Sequence, residues 1–125
     1  LVILKNKYGI PEEQLDEIFA RDTLCVYCRK SMLFPYDVKN GGDSATIEHL
    51  NHRYDWDSVR DFTSKGKSVY SIIAICCGAC NSSRSDLPLT KWFETSYCKI
   101  KDINPNTVSP VVSAYLQVYE AEKSL

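Results

Sequence analysis

The chain has 125 residues, 44% of them hydrophobic and 25% charged, which suits one domain with a real but modest core. No apolar run approaches a membrane span and no signal peptide is visible, which argues against a membrane protein or a secreted one. The formal net charge of −1 argues against a generally basic, polyanion-binding surface, so any attraction to phosphate must come from local patches.

The opening Leu1-Val2-Ile3-Leu4 is too short for a span or a leader, and a start without Met reads as a fragment or a processed chain. Gly9-Ile10-Pro11 then enters a predicted helix running to about Arg21. Proline suits a first turn, Glu12, Glu13, Asp16 and Glu17 favour the positive helix end, and Leu15, Ile18 and Phe19 give one apolar stripe. The helix leads into Cys25-Val26-Tyr27-Cys28. A short apolar piece, Met32 to Tyr36, is stopped by Pro35, and Asn40-Gly41-Gly42-Asp43 is a strong turn signal.

Ala45-Thr46-Ile47 reads as a strand delivering Glu48 and His49 at its end. Adjacent strand residues face opposite sides, so these two share a target only if the strand breaks there. Residues 53–68 are polar, with Trp56, Val59 and Phe62 as expected anchors and Arg53, Arg60, Lys65 and Lys67 as a cationic patch diluted by Asp55, Asp57 and Asp61. Val69 to Cys76 has the highest β propensity in the chain and reads as a strand entering Cys77-Gly78-Ala79-Cys80. A helix is expected from about Asn81, interrupted near Leu87-Pro88. A second continues to Tyr97, with Leu89, Trp92, Phe93 and Tyr97 on its apolar face. Asn104-Pro105-Asn106 is a loop, and Ser109-Pro110 opens a last helix with Val111, Val112, Tyr115, Val118 and Tyr119 on its buried side.

Four of the six cysteines fall in the two Cys-x-x-Cys pairs, a spacing typical of metal knuckles, although six cysteines also allow three disulfides. Two thiolates separated by two residues can bite one tetrahedral ion, because a tight turn holds the sulfurs roughly 3.5–4 Å apart. Cys25, Cys28, Cys77 and Cys80 together supply the four ligands of a closed structural zinc site. Such cysteine usage favours a reducing, cytoplasmic setting. Four thiolates and one Zn²⁺ would take the formal charge from −1 to about −3. Cys76 and Cys98 read as buried thiols.

Between the pairs lies Thr46-Ile47-Glu48-His49-Leu50-Asn51-His52, holding both histidines of the chain. A Cys-x-x-Cys pair, an acidic residue directly before a histidine, a strand, and Cys-x-x-Cys-Asn with a basic residue three further on resembles the His–Asn–His (HNH) endonucleases. It is most similar to the zinc-stapled branch that includes phage Holliday-junction resolvases and many phage-encoded HNH proteins. The resemblance covers about residues 21–93 of a single domain spanning 1–125. It implies an α+β fold: a ββα-metal core stapled by four cysteines, with flanking N- and C-terminal helices. It implies a structural Zn²⁺ on Cys25, Cys28, Cys77 and Cys80. It also implies a catalytic Mg²⁺ or Mn²⁺ held by Glu48 and Asn81, His49 as general base, and Arg84 facing the phosphate of a DNA partner. A bacterial or phage-encoded, cytoplasmic protein follows from the same likeness.

The chain departs from the pattern in two ways. Glu48 stands where many members have Asp. Ile72 stands where the middle asparagine often lies, leaving Ser71 or Asn51 as substitutes.

The chemistry is coherent in its own terms. Phosphodiester hydrolysis needs a nucleophilic water, charge neutralisation and a stabilised leaving 3′ oxygen. Neutral imidazole suits the first task, and a hard cation on oxygen ligands suits the others. Each residue also has a plainer reading. Asn81 could cap a helix, Arg84 could be a surface cation, His49 an ordinary loop histidine, and His52 either a substrate or metal contact or a surface residue. The rival for the whole chain is a non-catalytic zinc-stapled module that binds nucleic acid or protein. A zinc hydrolase or deaminase fails, because four cysteines leave the ion no open position.

Overall fold

In the computed structural model, residues 9–51 and 68–120 are described, the last two by backbone only. The fold is a mixed α+β arrangement around a small antiparallel sheet. Helix α1 (Glu12–Arg21) starts after Pro11, which stands at the capping position, and buries Leu15 and Ile18. Phe19 is half-buried, its ring 4.6 Å from that of Phe34. A 3₁₀ turn (Val38–Asp43) holds the glycines, with the Asp37 carboxylate accepting from Lys39 N at its start. Strand β1 (Ala45–His49) then pairs with β2 (Ile73–Cys77), Ala45 opposite Cys77 and His49 opposite Ile73. Every residue of β2 and all of β1 except Thr46 are buried, as β-branched strands covered on both faces should be.

The free edge of β2 is satisfied without a third strand. Val26 N donates to Ile75 O at 3.2 Å, and Ile75 N donates to the Asp22 carboxylate at 3.0 Å. Arg21 pairs with Asp22 at 2.7 Å and reaches the Tyr70 and Ile73 carbonyls, so the end of α1 is clipped to β2. Closing an edge in this way removes a template for pairing with other chains.

Val69 to Ile72, expected as strand, instead forms one helical turn, α2 (Val69–Ile72). Local side-chain bonds outweigh β propensity there. The Ser68 hydroxyl accepts from Tyr70 N, and the Ser71 hydroxyl donates to Ser68 O at 2.7 Å. The turn places Val69 and Ile72, three apart, together in the core.

Helix α3 (Gly78–Arg84) follows β2 without a loop and packs against both strands, while α1 packs on β2. Gly78 permits this junction, since a Cβ there would meet the Gly41 carbonyl oxygen far inside van der Waals contact. Its own N–H donates to Ser44 O at 3.0 Å, which keeps the two backbones together. Gly78→Ala is therefore expected to cost about 1–3 kcal/mol through forced backbone displacement. The check is the denaturation midpoint, and an unchanged midpoint would mean that the 3₁₀ turn yields freely.

The expected continuous helix to Tyr97 is two short ones, α4 (Leu89–Trp92) and α5 (Ser96–Lys101). Thr95 divides them: its hydroxyl donates to Trp92 O at 2.6 Å and its side chain caps α5 at Cys98 N. The last helix, α6 (Pro110–Tyr115), runs into a π-helical turn (Leu116–Glu120) and packs on α2. Val112 and Tyr115 are buried as expected, but Val111 is half-buried and Val118 exposed; the Tyr119 side chain lies outside the described residues. Ser109 stands at the capping position, yet its hydroxyl makes no cap bond. Trp56, Val59, Phe62 and the whole cationic patch of residues 53–67 also lie outside the described residues. No helix among those described is long and apolar enough to cross a membrane.

Candidate metal centre and the buried polar cluster beside it

The two knuckles converge. The sulfurs of Cys25, Cys28, Cys77 and Cys80 all lie within 4.8 Å of one another, and Cys28 Sγ is 3.9 Å from Cys77 Sγ. No disulfide joins them; all six cysteines are free thiols. Local structure explains the convergence. The first knuckle closes through Cys25 N to Lys30 O and Arg29 N to Cys25 O, and Val26 N ties it to β2 two residues before Cys77. Cys77 ends β2, and its sulfur caps α3 by accepting from Cys80 N at 3.5 Å. Strand end and first helical turn thus place the second pair on the same point as the first.

Cys77 and Cys80 donate hydrogen bonds to Cys25, which holds that thiol well below its ordinary pKa. The same sharing pushes Cys77 up to about 11 and Cys80 further up. Four sulfurs this close together are the donor set that a soft or borderline divalent ion would take over, displacing their protons. The cluster can therefore hold one metal ion, and its four-sulfur chemistry fits zinc. The Tyr97 hydroxyl lies 3.3 Å from Cys80 Sγ; burial first, and then this contact, raise its pKa.

Cys76 points away from the cluster, its sulfur 3.7 Å from the Thr46 hydroxyl. It is fully buried, and burial raises its thiol well above the ordinary value. Cys98 is likewise a buried thiol.

Helix α3 lays two polar side chains, three residues apart, onto β1. Asn81 donates through Nδ2 to the Thr46 hydroxyl at 3.0 Å and to Ile47 O at 3.2 Å. A carbonyl can only accept, so this network fixes the amide orientation and turns Oδ1 away from it. Oδ1 has no protein partner among the described residues. The capping role weighed for Asn81 falls to Cys77, because α3 begins three residues earlier than expected.

Arg84, one turn on, is 1% exposed. It donates through Nε to Leu87 O at 2.9 Å, through Nη2 to Leu50 O at 2.7 Å, and through Nη1 to His49 O. Nη1 also lies 3.3 Å from both Glu48 Oε2 and the Tyr27 hydroxyl. Burial works against the guanidinium charge, but the Tyr27 oxygen and Glu48 outweigh it, and the pKa stands above that of free arginine. Glu48 is 2% exposed and accepts from the Tyr27 hydroxyl at 2.8 Å and from His49 N at 3.1 Å.

The roles expected of these two residues do not fit their placement: Arg84 faces no solvent from which a phosphate could approach, and the Glu48 carboxylate is already paired. The reason is the strand. β1 stays regular through His49, so Glu48 is carried to the face covered by α3 instead of sharing a target with its neighbour.

His49 is 8% exposed, and its Nδ1 lies 2.7 Å from Asn51 O. The carbonyl must accept, so Nδ1 carries the proton and the neutral ring has its lone pair on Nε2. Asn51 supplies this contact through its backbone; its side-chain Oδ1 and Nδ2 are buried without partners. Ser71, the other substitute considered for the middle asparagine, bonds locally in α2. His52 lies outside the described residues.

Two site residues gave no sequence signal of their role. Tyr27 sits inside the first knuckle with its ring edge-on to Trp92 at 4.8 Å, and Tyr97 reads only as an apolar helix face. A tyrosine between two metal-spaced cysteines is a usable hint in retrospect, since its backbone is fixed by both. Comparison of the chain with protein-family models, with curated proteins and with solved structures finds no match.

Proposed function

We propose that the chain is a zinc-stapled, metal-dependent endonuclease of the HNH kind, hydrolysing DNA phosphodiester bonds with His49 as general base. The observation that carries the reading is the His49 ring held at 2.7 Å by the Asn51 carbonyl at the end of β1, which puts the basic lone pair on Nε2. Two further features support it. β1, β2 and α3 come in that order along the chain, with α2 between the two strands, and the four-thiol cluster lies at the corner between β2 and α3.

Zinc fits the cluster, where it would staple the knuckles and take no part in the chemistry, its coordination being closed. For a hard cation the fit is narrower. Asn81 Oδ1 is a suitable oxygen donor on α3, whereas Glu48 is engaged by Tyr27, Arg84 and His49 N. Mg²⁺ accepts few protein ligands, completing its shell with water and phosphate oxygens. Bound there, Mg²⁺ or Mn²⁺ would supply charge neutralisation at the phosphate and the leaving 3′ oxygen. His49 Nε2 would take a proton from the attacking water, and its Nδ1–H bond would hold the ring in that tautomer throughout.

Asn81→Ala is the test of this donor. It should raise the Mg²⁺ concentration needed for DNA cleavage by about tenfold or more, while zinc content and folding persist. Normal cleavage across a Mg²⁺ titration would reduce Asn81 to a tether between α3 and β1. The second reading, a binding module without catalysis, draws on the inward-turned Arg84 and the net charge of −1. Zinc-dependent folding and DNA retention without any cleavage in Mg²⁺ or Mn²⁺ would favour it.

A further inference from the structure

We propose that Tyr27, Glu48 and Arg84 form a positioning relay that carries the geometry of the cysteine cluster to the His49 loop, with Glu48 the buried partner of Arg84 and not a cation ligand. The inference rests on the nuclease reading for its purpose, and on contacts alone for its construction.

Two members are fixed from the metal side, and Glu48 is held from β1. Tyr27 lies between Cys25 and Cys28, and Arg84 lies four residues after Cys80 on the same helix. Their side chains meet on one oxygen: the Tyr27 hydroxyl is 2.8 Å from Glu48 Oε2, and Arg84 Nη1 is 3.3 Å from it. The other carboxylate oxygen accepts from the His49 backbone at 3.1 Å. Arg84 also donates to the carbonyls of His49 and Leu50, and the next residue, Asn51, receives His49 Nδ1. Residues 48–51 are thus held at four successive points, three of them by one guanidinium.

Arginine is suited to this, since its planar fork can address two carbonyls and a carboxylate together while staying charged when buried. A buried carboxylate needs a cation and hydrogen bonds to offset its lost solvation, and here the protein supplies both. For a hard cation to recruit Glu48, the Arg84 and Tyr27 contacts would have to break inside the core. The relay also gives a reason for a buried basic residue at the end of α3.

The test uses the full zinc-loaded chain in three forms: unaltered, Glu48→Gln and Tyr27→Phe. Mn²⁺ is the cation probe, titrated by water proton relaxation, and the His49 tautomer is read from long-range ¹H–¹⁵N correlations of the imidazole ring. The unaltered chain should show His49 as the Nδ1–H form. Glu48→Gln should keep Mn²⁺ affinity within about threefold while His49 loses that single signature and populates the Nε2–H form as well. Tyr27→Phe keeps the ion pair and the ring packing, so it should shift the tautomer in the same direction by less, with zinc content unchanged. It carries the test if Glu48→Gln fails to fold.

A loss of Mn²⁺ affinity of about tenfold or more in Glu48→Gln would make the carboxylate a ligand and overturn the proposal. An unchanged His49 signature in every folded variant would overturn it equally. If the unaltered chain takes up no Mn²⁺, the tautomer alone decides. No DNA cleavage enters these readouts, so failure of the nuclease reading leaves the outcome intact.

Discussion

Cys25→Ser and Cys80→Ser are expected to unfold the domain or leave it badly destabilised, the largest effect of any single substitution in the chain. The four sulfurs sit within 4.8 Å of one another and join the first knuckle to the β2–α3 corner. Structural zinc can contribute on the order of 10 kcal/mol to sites of this kind, comparable to the whole stability of a typical domain. Removing one sulfur leaves three ligands, and it also opens the contact through which Tyr27 and Val26 reach the sheet. Cys76 and Cys98, buried outside the cluster, should show no such metal dependence when replaced by alanine.

The sign of the pH effect follows from the chemistry of the bond. Metal-bound thiols stay deprotonated well below the ordinary cysteine pKa of about 8.5, so the zinc contribution is present near neutrality and is lost as pH falls and protons compete. Elemental analysis should find one tightly held zinc per chain, with circular dichroism collapsing on acid or strong chelation. A correctly folded, metal-free protein would end this part of the account.

Much of this was legible in the sequence because spacing encodes it. Cys-x-x-Cys brings two sulfurs together by local geometry alone, so the four sulfurs needed only a fold that joins the halves. β1 is read from Ala45-Thr46-Ile47, and α1 from its acidic first turn and its Leu15 and Ile18 stripe. The failures came where one side chain overrides a propensity. Ser68 and Ser71 wind Val69–Ile72 into a turn, and Thr95 splits the helix expected to run through to Tyr97.

The polar cluster was harder to read for a different reason. Glu48 and Arg84 are both charged, and a sequence places charges at the surface or at a ligand by default. What turns them inward is a three-dimensional coincidence, with Arg84 one turn beyond Asn81 on a helix laid along β1, and Tyr27 arriving from the first knuckle. No local pattern records that meeting. The partner of His49 is a similar case: its Nδ1 meets the backbone carbonyl of Asn51, which any residue at position 51 would carry.

His49 is where the central claim stands or falls. If Nε2 removes a proton from water, His49→Ala should lower turnover by about 10²–10⁴-fold, the usual worth of a positioned general base. The neutral ring is the active form. The rate of the unaltered chain should therefore rise with pH as the imidazole loses its proton, and then level off. The substitution leaves the four cysteines and the Glu48–Arg84 pair unaltered, so zinc content and DNA binding should survive the change. His52→Ala, made beside it, should cost much less. The direct measurement is nicking of supercoiled plasmid by the unaltered chain, His49→Ala and His52→Ala, each with and without Mg²⁺. The account predicts Mg²⁺-dependent nicking that His49→Ala abolishes to within the stated range and His52→Ala largely retains. Equal losses in the two variants would assign the base wrongly, and full nicking by His49→Ala would contradict the mechanism altogether.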